Sequence, residues 1–242
     1  MNLSNPARRS SRIEALFPPG VVAAELAGVA SPALLLPAEA ACVGRMVAAR
    51  AGEFAGGRLC ARLALAGLGI ESFAVTAKPD RQPFWPDGVV GSITHTDGIC
   101  AAVVGRGSQY LGLGLDTEIV GRVTEPLAVR ICVPSERDWI GSLPAACRAA
   151  ARTVVFAVKE AFYKAQSPLT GEWLGFDALA VRVPGLPAAL QAGGCGEFLA
   201  TPTRAIRLGQ WAQPPWRGGF CLHEGFVSVG LALSTPGRPG TP

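Results

Sequence analysis

What most constrains the fold of this chain is an order of segments that occurs twice. Apolar residues at helical spacing come first, then short apolar runs divided by turn residues. In the first round, residues 37–68 carry the helical pattern, broken only at Gly56 and Gly57, which predicts one or two helices. Four strand-like runs come next: FAVTA (73–77), VVGSIT (89–94), ICAAVVG (99–105) and YLGLGLDTEIV (110–120). In the second round, EPLAVRIC (125–132) and SERDWIG (135–141) read as short helices, and 144–166 as the longest one. Strand-like FDALAVRV (176–183), GEFLA (196–200), GFCLHEG (219–225) and FVSVGLAL (226–233) close the series. Helices followed by antiparallel-looking strands, twice over, predict an α+β fold of two similar halves, 13–110 and 111–233. The ends, 1–12 and 234–242, are polar or rich in Pro and Gly and are expected to be flexible.

With 49% hydrophobic residues the chain has enough apolar side chain for a substantial core. Its net charge of +4 is spread out rather than gathered into a basic stripe. That argues against a nucleic-acid binder and suits a phosphate-rich ligand or an acidic partner. Arg8, Arg9 and Arg12 resemble the start of a targeting segment, but Glu14, Pro18, Pro19 and Glu25 interrupt the apolar stretch after them. No signal-type core or membrane-spanning run is legible, and a cytoplasmic protein is expected. The seven cysteines are odd in number and none has C-x-x-C spacing, so most are expected to be small buried thiols.

Asp116 and Glu118 stand two apart in GLGLDTE, and on a strand they share a face. Two carboxylates so placed repel unless a proton or cation lies between them, and hard oxygen ligands suit Mg²⁺. The bland alternative is a strand end with two solvated acids. Lys159, Glu160 and Lys164 lie in VKEAFYKAQ, surrounded by Val, Ala and Phe. Glu160 and Lys164 are four apart and could form an ordinary helix ion pair, yet charges in apolar company need a partner or a ligand. His95 closes an apolar strand in GSITHTDG, between Thr94, Thr96 and Asp97, while His223 has no such company and reads as structural. Arg50, Arg58 and Arg62 lie along the first helical region, and Lys78 in the AKPDRQP loop. Arginine forks match phosphate oxygens, although helix arginines often serve only solubility. No P-loop or dinucleotide glycine pattern is present.

Taken in order, GRLCARLAL (57–65), QPFWPDGVVGSITH (82–95), GLGLDTE (112–118), VFAVKEAFYKA (155–165) and LTGEWLGFDAL (169–179) resemble the 4′-phosphopantetheinyl transferases. The likeness is to the Sfp-type class with two fused halves, and to its enterobactin-synthase-component-D-like and actinobacterial members. It runs from about residue 38 to 180. The resemblance implies a monomeric pseudo-twofold α+β enzyme, a holo-[acyl-carrier-protein] synthase, with its site in the cleft between halves. It implies coenzyme A as substrate and Mg²⁺, or Mn²⁺, on Asp116, Glu118 and Glu160. It places Glu160 and Lys164 in catalysis, and Arg50, Arg58, Lys78, His95, Lys159 and Lys164 on the coenzyme's phosphates. It further implies an apo acyl or peptidyl carrier protein as partner, with no part for nucleic acid or membrane. Two departures leave every functional group in place: Thr94 stands where serine is commoner, and Thr117 replaces an apolar residue between the acids. The rival readings are a catalytically silent carrier-binding module and a different Mg²⁺-dependent phosphotransferase.

Overall fold

In the computed structural model, residues 6–191, 194–208 and 213–234 are described. The first half opens with a two-residue strand β1 (Arg8–Arg9), a short helix α1 (Ser11–Glu14) and β2 (Val22–Ala27). Two helices come after it, α2 (Pro37–Ala40) and the long α3 (Ala48–Gly67). Strands β3 (Val89–Thr96) and β4 (Ile99–Arg106) then complete an antiparallel sheet of order β1-β2-β4-β3. The second half runs β5 (Tyr110–Ile119), α4 (Glu125–Ile131), α5 (Pro134–Ser142), α6 (Ala145–Thr170) and β6 (Leu179–Arg182). After α7 (Leu186–Gln191) come β7 (Cys195–Pro202), β8 (Trp216–His223) and β9 (Phe226–Ser234). These form a five-stranded antiparallel sheet of order β5-β9-β8-β7-β6. The α+β class expected from the segment order is the one found.

Alternation along the strands decides how the layers stack. In the first sheet Ala24, Leu26, Cys100 and Ala102 pack with Leu59, Cys60 and Leu65 of α3. The opposite face, with Ala23, Ala101 and Val103, meets Leu113 and Leu115 of β5, and Ile13, Leu16 and Phe17 fill the space between the sheets. The second sheet turns Val227, Val229, Leu231 and Phe220 toward Val154, Val158 and Phe162 of α6. Each sheet therefore carries a long helix on one face and shares a core on the other. Where the sheets meet, β3 and β5 are joined by side chains: the Leu115 amide donates to Ser92 Oγ at 3.1 Å and the Thr117 amide to Thr94 Oγ1 at 3.0 Å.

Gly112 and Gly114 set how near α6 comes to β5. A Cβ on Gly112 would land on the carbonyl oxygen of Ala165, and one on Gly114 on that of Ala161. The obstruction is helix backbone, which cannot rotate away. Gly112, Gly114, Asp116 and Glu118 share one face of the strand, so the glycines that admit the helix also aim the acids at it. Helix α6 ends at Gly171, whose φ of 63° lies in the left-handed region that glycine tolerates.

Several segments differ from the sequence expectation. Arg8 and Arg9, within the stretch expected to be flexible, pair with Glu25 and Ala24 of β2. Strand β2 is masked in the sequence by Glu25, a charge in an apolar run, which the fold buries against Arg8 at 3.2 Å and Arg12 at 2.5 Å. Residues 73–77 are extended, but their only ladder contact is a single bridge, Ala77 to Pro83. Side chains replace the ladder there: Val75 donates its amide to Glu39 Oε1 at 3.0 Å and accepts at its carbonyl from Arg58 Nε at 3.0 Å. Cys195 and Cys221 face one another across β7 and β8 as a disulfide, whereas the sequence led us to expect thiols; the other five cysteines are free. Residues 235–242 of the expected tail lie outside the described residues.

The glycine argument makes a paired prediction. Gly114→Ala should destabilise the chain by about 3 kcal/mol, at the upper end of the usual overpacking cost. Gly141→Ala, on exposed α5 with nothing within 4 Å, should stabilise by about 0.5–1 kcal/mol. Urea denaturation of both variants checks the contrast.

Candidate active site

The charged residues of α6 meet the acids of β5 on the face that the glycines open. Lys164 Nζ lies 2.7 Å from Asp116 Oδ1 and donates also to the Leu115 carbonyl at 3.1 Å. Its ion pair is therefore made across elements rather than along the helix to Glu160. Thr94 Oγ1, which accepts the Thr117 amide, donates to the same Asp116 oxygen at 3.3 Å. The remaining oxygen, Asp116 Oδ2, is buried without a hydrogen-bond partner, and so is Glu118 Oε2. Arg122 reaches only to 3.8 Å of Glu118 Oε2 and donates to Thr96 Oγ1 at 3.0 Å.

Burial and the neighbouring Asp116 push the Glu118 carboxyl up to about 7; Arg122 and Lys164 oppose the rise and Glu160 adds to it. Glu160 is raised as well, by burial and by Asp116, with Lys164 opposing. The three carboxyls thus feel one another although two elements carry them. Orphaned hard oxygens beside one another are a donor set that fits Mg²⁺, an ion that keeps several waters and takes substrate phosphates. Among the described residues, no three His, Cys, Asp or Glu side chains are gathered closely enough to enclose an ion by themselves.

The second cluster adjoins the first. Arg50 and Glu53 of α3 meet His95 of β3: Arg50 Nη1 is 2.5 Å from His95 Nε2 and 3.1 Å from Glu53 Oε2, which lies 3.4 Å from His95 Nδ1. Burial first, then Arg50 and Lys164, hold the imidazole below its ordinary range, against Glu53 and Asp116. Lys164 and Asp116 thereby link the two clusters.

Two sequence-nominated cations lie elsewhere. Lys159 is buried, and its ammonium donates to the Ile131 carbonyl at 2.8 Å, Glu136 Oε2 at 2.8 Å and the Phe176 carbonyl at 2.9 Å. All its donors are engaged inside the second half, leaving none for a phosphate. Arg58 is also buried, its guanidinium 3.8 Å over the Phe54 ring and its Nε on Val75; burial lowers it to about 10. It braces the segment leading to Lys78. Lys78 itself is exposed on a hairpin closed by its amide to the Gln82 carbonyl at 2.8 Å. Gln82 Nε2 ties that hairpin to Ser167 of α6 at 3.3 Å.

Sequence reasoning did not single out Glu53, Glu136 or Arg122. Only its place three residues from Arg50 on the same helix could have pointed to Glu53. It also missed a pocket of about 290 Å³ that opens beside Glu160 and is walled by Phe162, Tyr163, Trp173 and Phe176. Trp173, 77% exposed, stands edge-on to Tyr163 at 5.3 Å on its rim. A larger hollow of about 560 Å³, beside Trp139 and Arg182, touches none of the nominated residues.

Comparison with known proteins gives the family. Residues 38–105 match the 4′-phosphopantetheinyl transferase N-terminal domain, and residues 112–200 the 4′-phosphopantetheinyl transferase superfamily. The chain belongs to the 4′-phosphopantetheinyl transferase family and is an enzyme of that class. It is 39% identical over 224 residues to the 4′-phosphopantetheinyl transferase Npt of Nocardia iowensis, covering 92% of this chain and 100% of that one. It is 41% identical over 203 residues to PptT of Mycobacterium tuberculosis, covering 82% and 86% respectively. Enterobactin synthase component D of Salmonella typhi is 36% identical over 121 residues, 49% of each chain. No helix among the described residues is long and apolar enough to cross a membrane.

The raised carboxyls predict a pH dependence in the absence of divalent ions. Glu118 keeps its proton to about pH 7 in the native chain but loses it near 4.5 when unfolded. Between those values the native state binds more protons, so stability should fall as pH rises through the window. His95 acts in the opposite sense, since a depressed imidazole makes the unfolded chain the better proton acceptor as pH falls below its ordinary 6.5. Urea denaturation in chelator at about pH 5 and about pH 7.5 should show the fall, and Glu118→Gln should shrink it.

Proposed function

We propose that this chain transfers the 4′-phosphopantetheine moiety of coenzyme A to a serine of an apo acyl or peptidyl carrier protein, releasing 3′,5′-ADP. One observation carries the reading: an ammonium, Lys164, is seated on Asp116, whose other oxygen is buried and unpartnered, and the same helix lines an aromatic pocket beside Glu160. A polyanionic substrate with a long neutral arm matches those parts. The arm would enter the pocket at Tyr163 and Trp173, leaving its phosphate beside Glu160. Arg50 and His95 would take phosphate oxygens from the first half, with Lys78 reaching in from its hairpin. Lys159, its three donors engaged within the fold, lines the pocket, and Arg58 braces the segment that leads to Lys78.

The carrier serine Oγ attacks the phosphorus that bears the pantetheine arm. A new P–O bond forms, and the bond to the bridging oxygen breaks, that oxygen leaving on 3′,5′-ADP. Glu160, whose raised carboxyl favours holding a proton, accepts the serine proton directly or through a water. Lys164 neutralises charge as the bridging oxygen departs. Asp116 and Glu118, with Glu160 nearby and with water and substrate completing the set, would hold Mg²⁺, or Mn²⁺, which when bound supplies Lewis-acid stabilisation of phosphate oxygens.

Incubating the chain with coenzyme A, Mg²⁺ and an apo carrier, then weighing the carrier by mass spectrometry, tests the reading; an unchanged carrier mass refutes it. Lys164→Ala should slow turnover by about 10²–10³ at saturating substrates while the chain stays folded. Wild-type turnover in that variant would reduce Lys164 to a structural ion pair.

The orphaned oxygens give a second expectation with a physical readout. Mg²⁺ and coenzyme A together should raise the melting temperature more than the sum of their separate effects, because each completes the other's coordination. Asp116→Ala should abolish that synergy. Thermal melts with each ligand alone and with both decide it.

A further inference from the structure

The Arg50 cluster contains a carboxylate that a phosphate site would be expected to exclude. Glu53 is one helical turn from Arg50 on α3, with its side chain only 21% exposed. Its Oε2 touches both Arg50 Nη1 and His95 Nδ1, at 3.1 and 3.4 Å. All the side-chain contacts of Arg50 use Nη1: to Glu53, to His95 Nε2 at 2.5 Å and, more distantly, to Nδ1 at 3.5 Å. Its Nη2 and Nε make none among the described residues.

The shorter of the two contacts from Arg50 to the ring, 2.5 Å to Nε2 against 3.5 Å to Nδ1, decides the protonation. A guanidinium can only donate, so Nη1 donates to the lone pair of His95 Nε2. The imidazole proton then sits on Nδ1 and faces Glu53, a carboxylate that can only accept. Glu53, 3.4 Å from Nδ1, stands where it favours the tautomer that lets His95 receive Arg50, and it also accepts from Arg50 itself. The Nε and Nη2 donors of the fork, on a side chain 53% exposed, are left for two oxygens of one phosphate.

We propose that Glu53 is a positioning residue that, with His95 as intermediary, aims the Arg50 guanidinium at a phosphate of the substrate. The inference rests on the phosphate reading of Arg50 under Proposed function. It reverses the sign expected from charge alone. A carboxylate that merely happened to be nearby would repel a polyanion, and its removal would tighten binding. Loss of a positioning carboxylate weakens binding, because Arg50 must then be ordered at the expense of the ligand's affinity.

The test combines calorimetry of coenzyme A in the presence of Mg²⁺ with nitrogen-15 NMR of the imidazoles. The chain has only two histidines, so His95 is assigned by comparison with a His95→Gln variant. The wild-type protein should show His95 protonated on Nδ1. Glu53→Ala should shift it toward the Nε2 tautomer and weaken coenzyme A binding about tenfold, the loss of one charge-assisted contact. Glu53→Asp should recover part of both effects. Glu53→Gln, which keeps an acceptor for Nδ1 but not the charge holding Arg50, should retain the tautomer and still weaken binding; it also serves if the alanine variant fails to fold. An unchanged tautomer in Glu53→Ala, or binding as tight as or tighter than wild type, overturns the proposal. If the wild-type chain binds no coenzyme A, the functional reading falls instead, and the tautomer comparison alone decides whether Glu53 positions His95.

Discussion

The close seating of α6 on β5 is the contact on which the rest of the site depends. Gly112 and Gly114 remove the side chains that would otherwise separate helix from strand, and the carbonyls of Ala165 and Ala161 occupy that space. One residue pair further along the same face, side chains resume as Asp116 and Glu118. The helix at this depth presents Lys164 to Asp116 and holds Glu160 within the field of both acids. Any residue larger than glycine would lift the helix and separate the ammonium from its carboxylate.

The acids in turn need the first half of the chain. Asp116 shares its Oδ1 between Lys164 and Thr94, and Thr94 belongs to β3, the strand that carries His95 one residue later. The β3–β5 seam uses hydroxyls where a sheet would use backbone. Short side chains therefore join the two sheets, and Thr94 also reaches the carboxylate. His95, Arg50 and Glu53 form a second charged group against the first, and the field of Lys164 and Asp116 at His95 is the sign of their proximity. A mildly basic chain thus concentrates opposite charges at one seam.

Two of the nominated cations show why residue type and motif position do not settle a role. Lys159 and Lys164 lie on one helix, five residues apart, so they point in different directions around it. Lys164 faces β5 at the seam, while Lys159 turns into the second half, where Glu136 and two carbonyls surround it. Glu136 also accepts the Val181 amide at 2.7 Å, so this buried pair pins the edge strand β6 to α5 and α6. Arg58 does comparable work at the Val75 carbonyl, which lies in a segment with a single bridge. Each satisfies backbone groups that burial would otherwise leave unpaired, a structural demand as strict as a ligand's.

The sequence by itself determined the α+β class and the family, and it nominated the acids and Lys164 that the fold brings together. Periodicity, strand alternation and five ordered motifs are local quantities, and they survive without knowledge of what packs where. It could also place Asp116 and Glu118 on one face, since a strand's period is two. It did not reveal β2, because a buried Glu25 looks like a break until Arg8 and Arg12 are known to neutralise it. Nor could it separate Lys159 from Lys164, find Glu53 behind His95, or see the pocket walled by residues 162, 163, 173 and 176. Those depend on partners distant in sequence. Only the tertiary structure decides which charge is paired and which is offered, because pairing is a matter of distances between elements that local sequence does not encode.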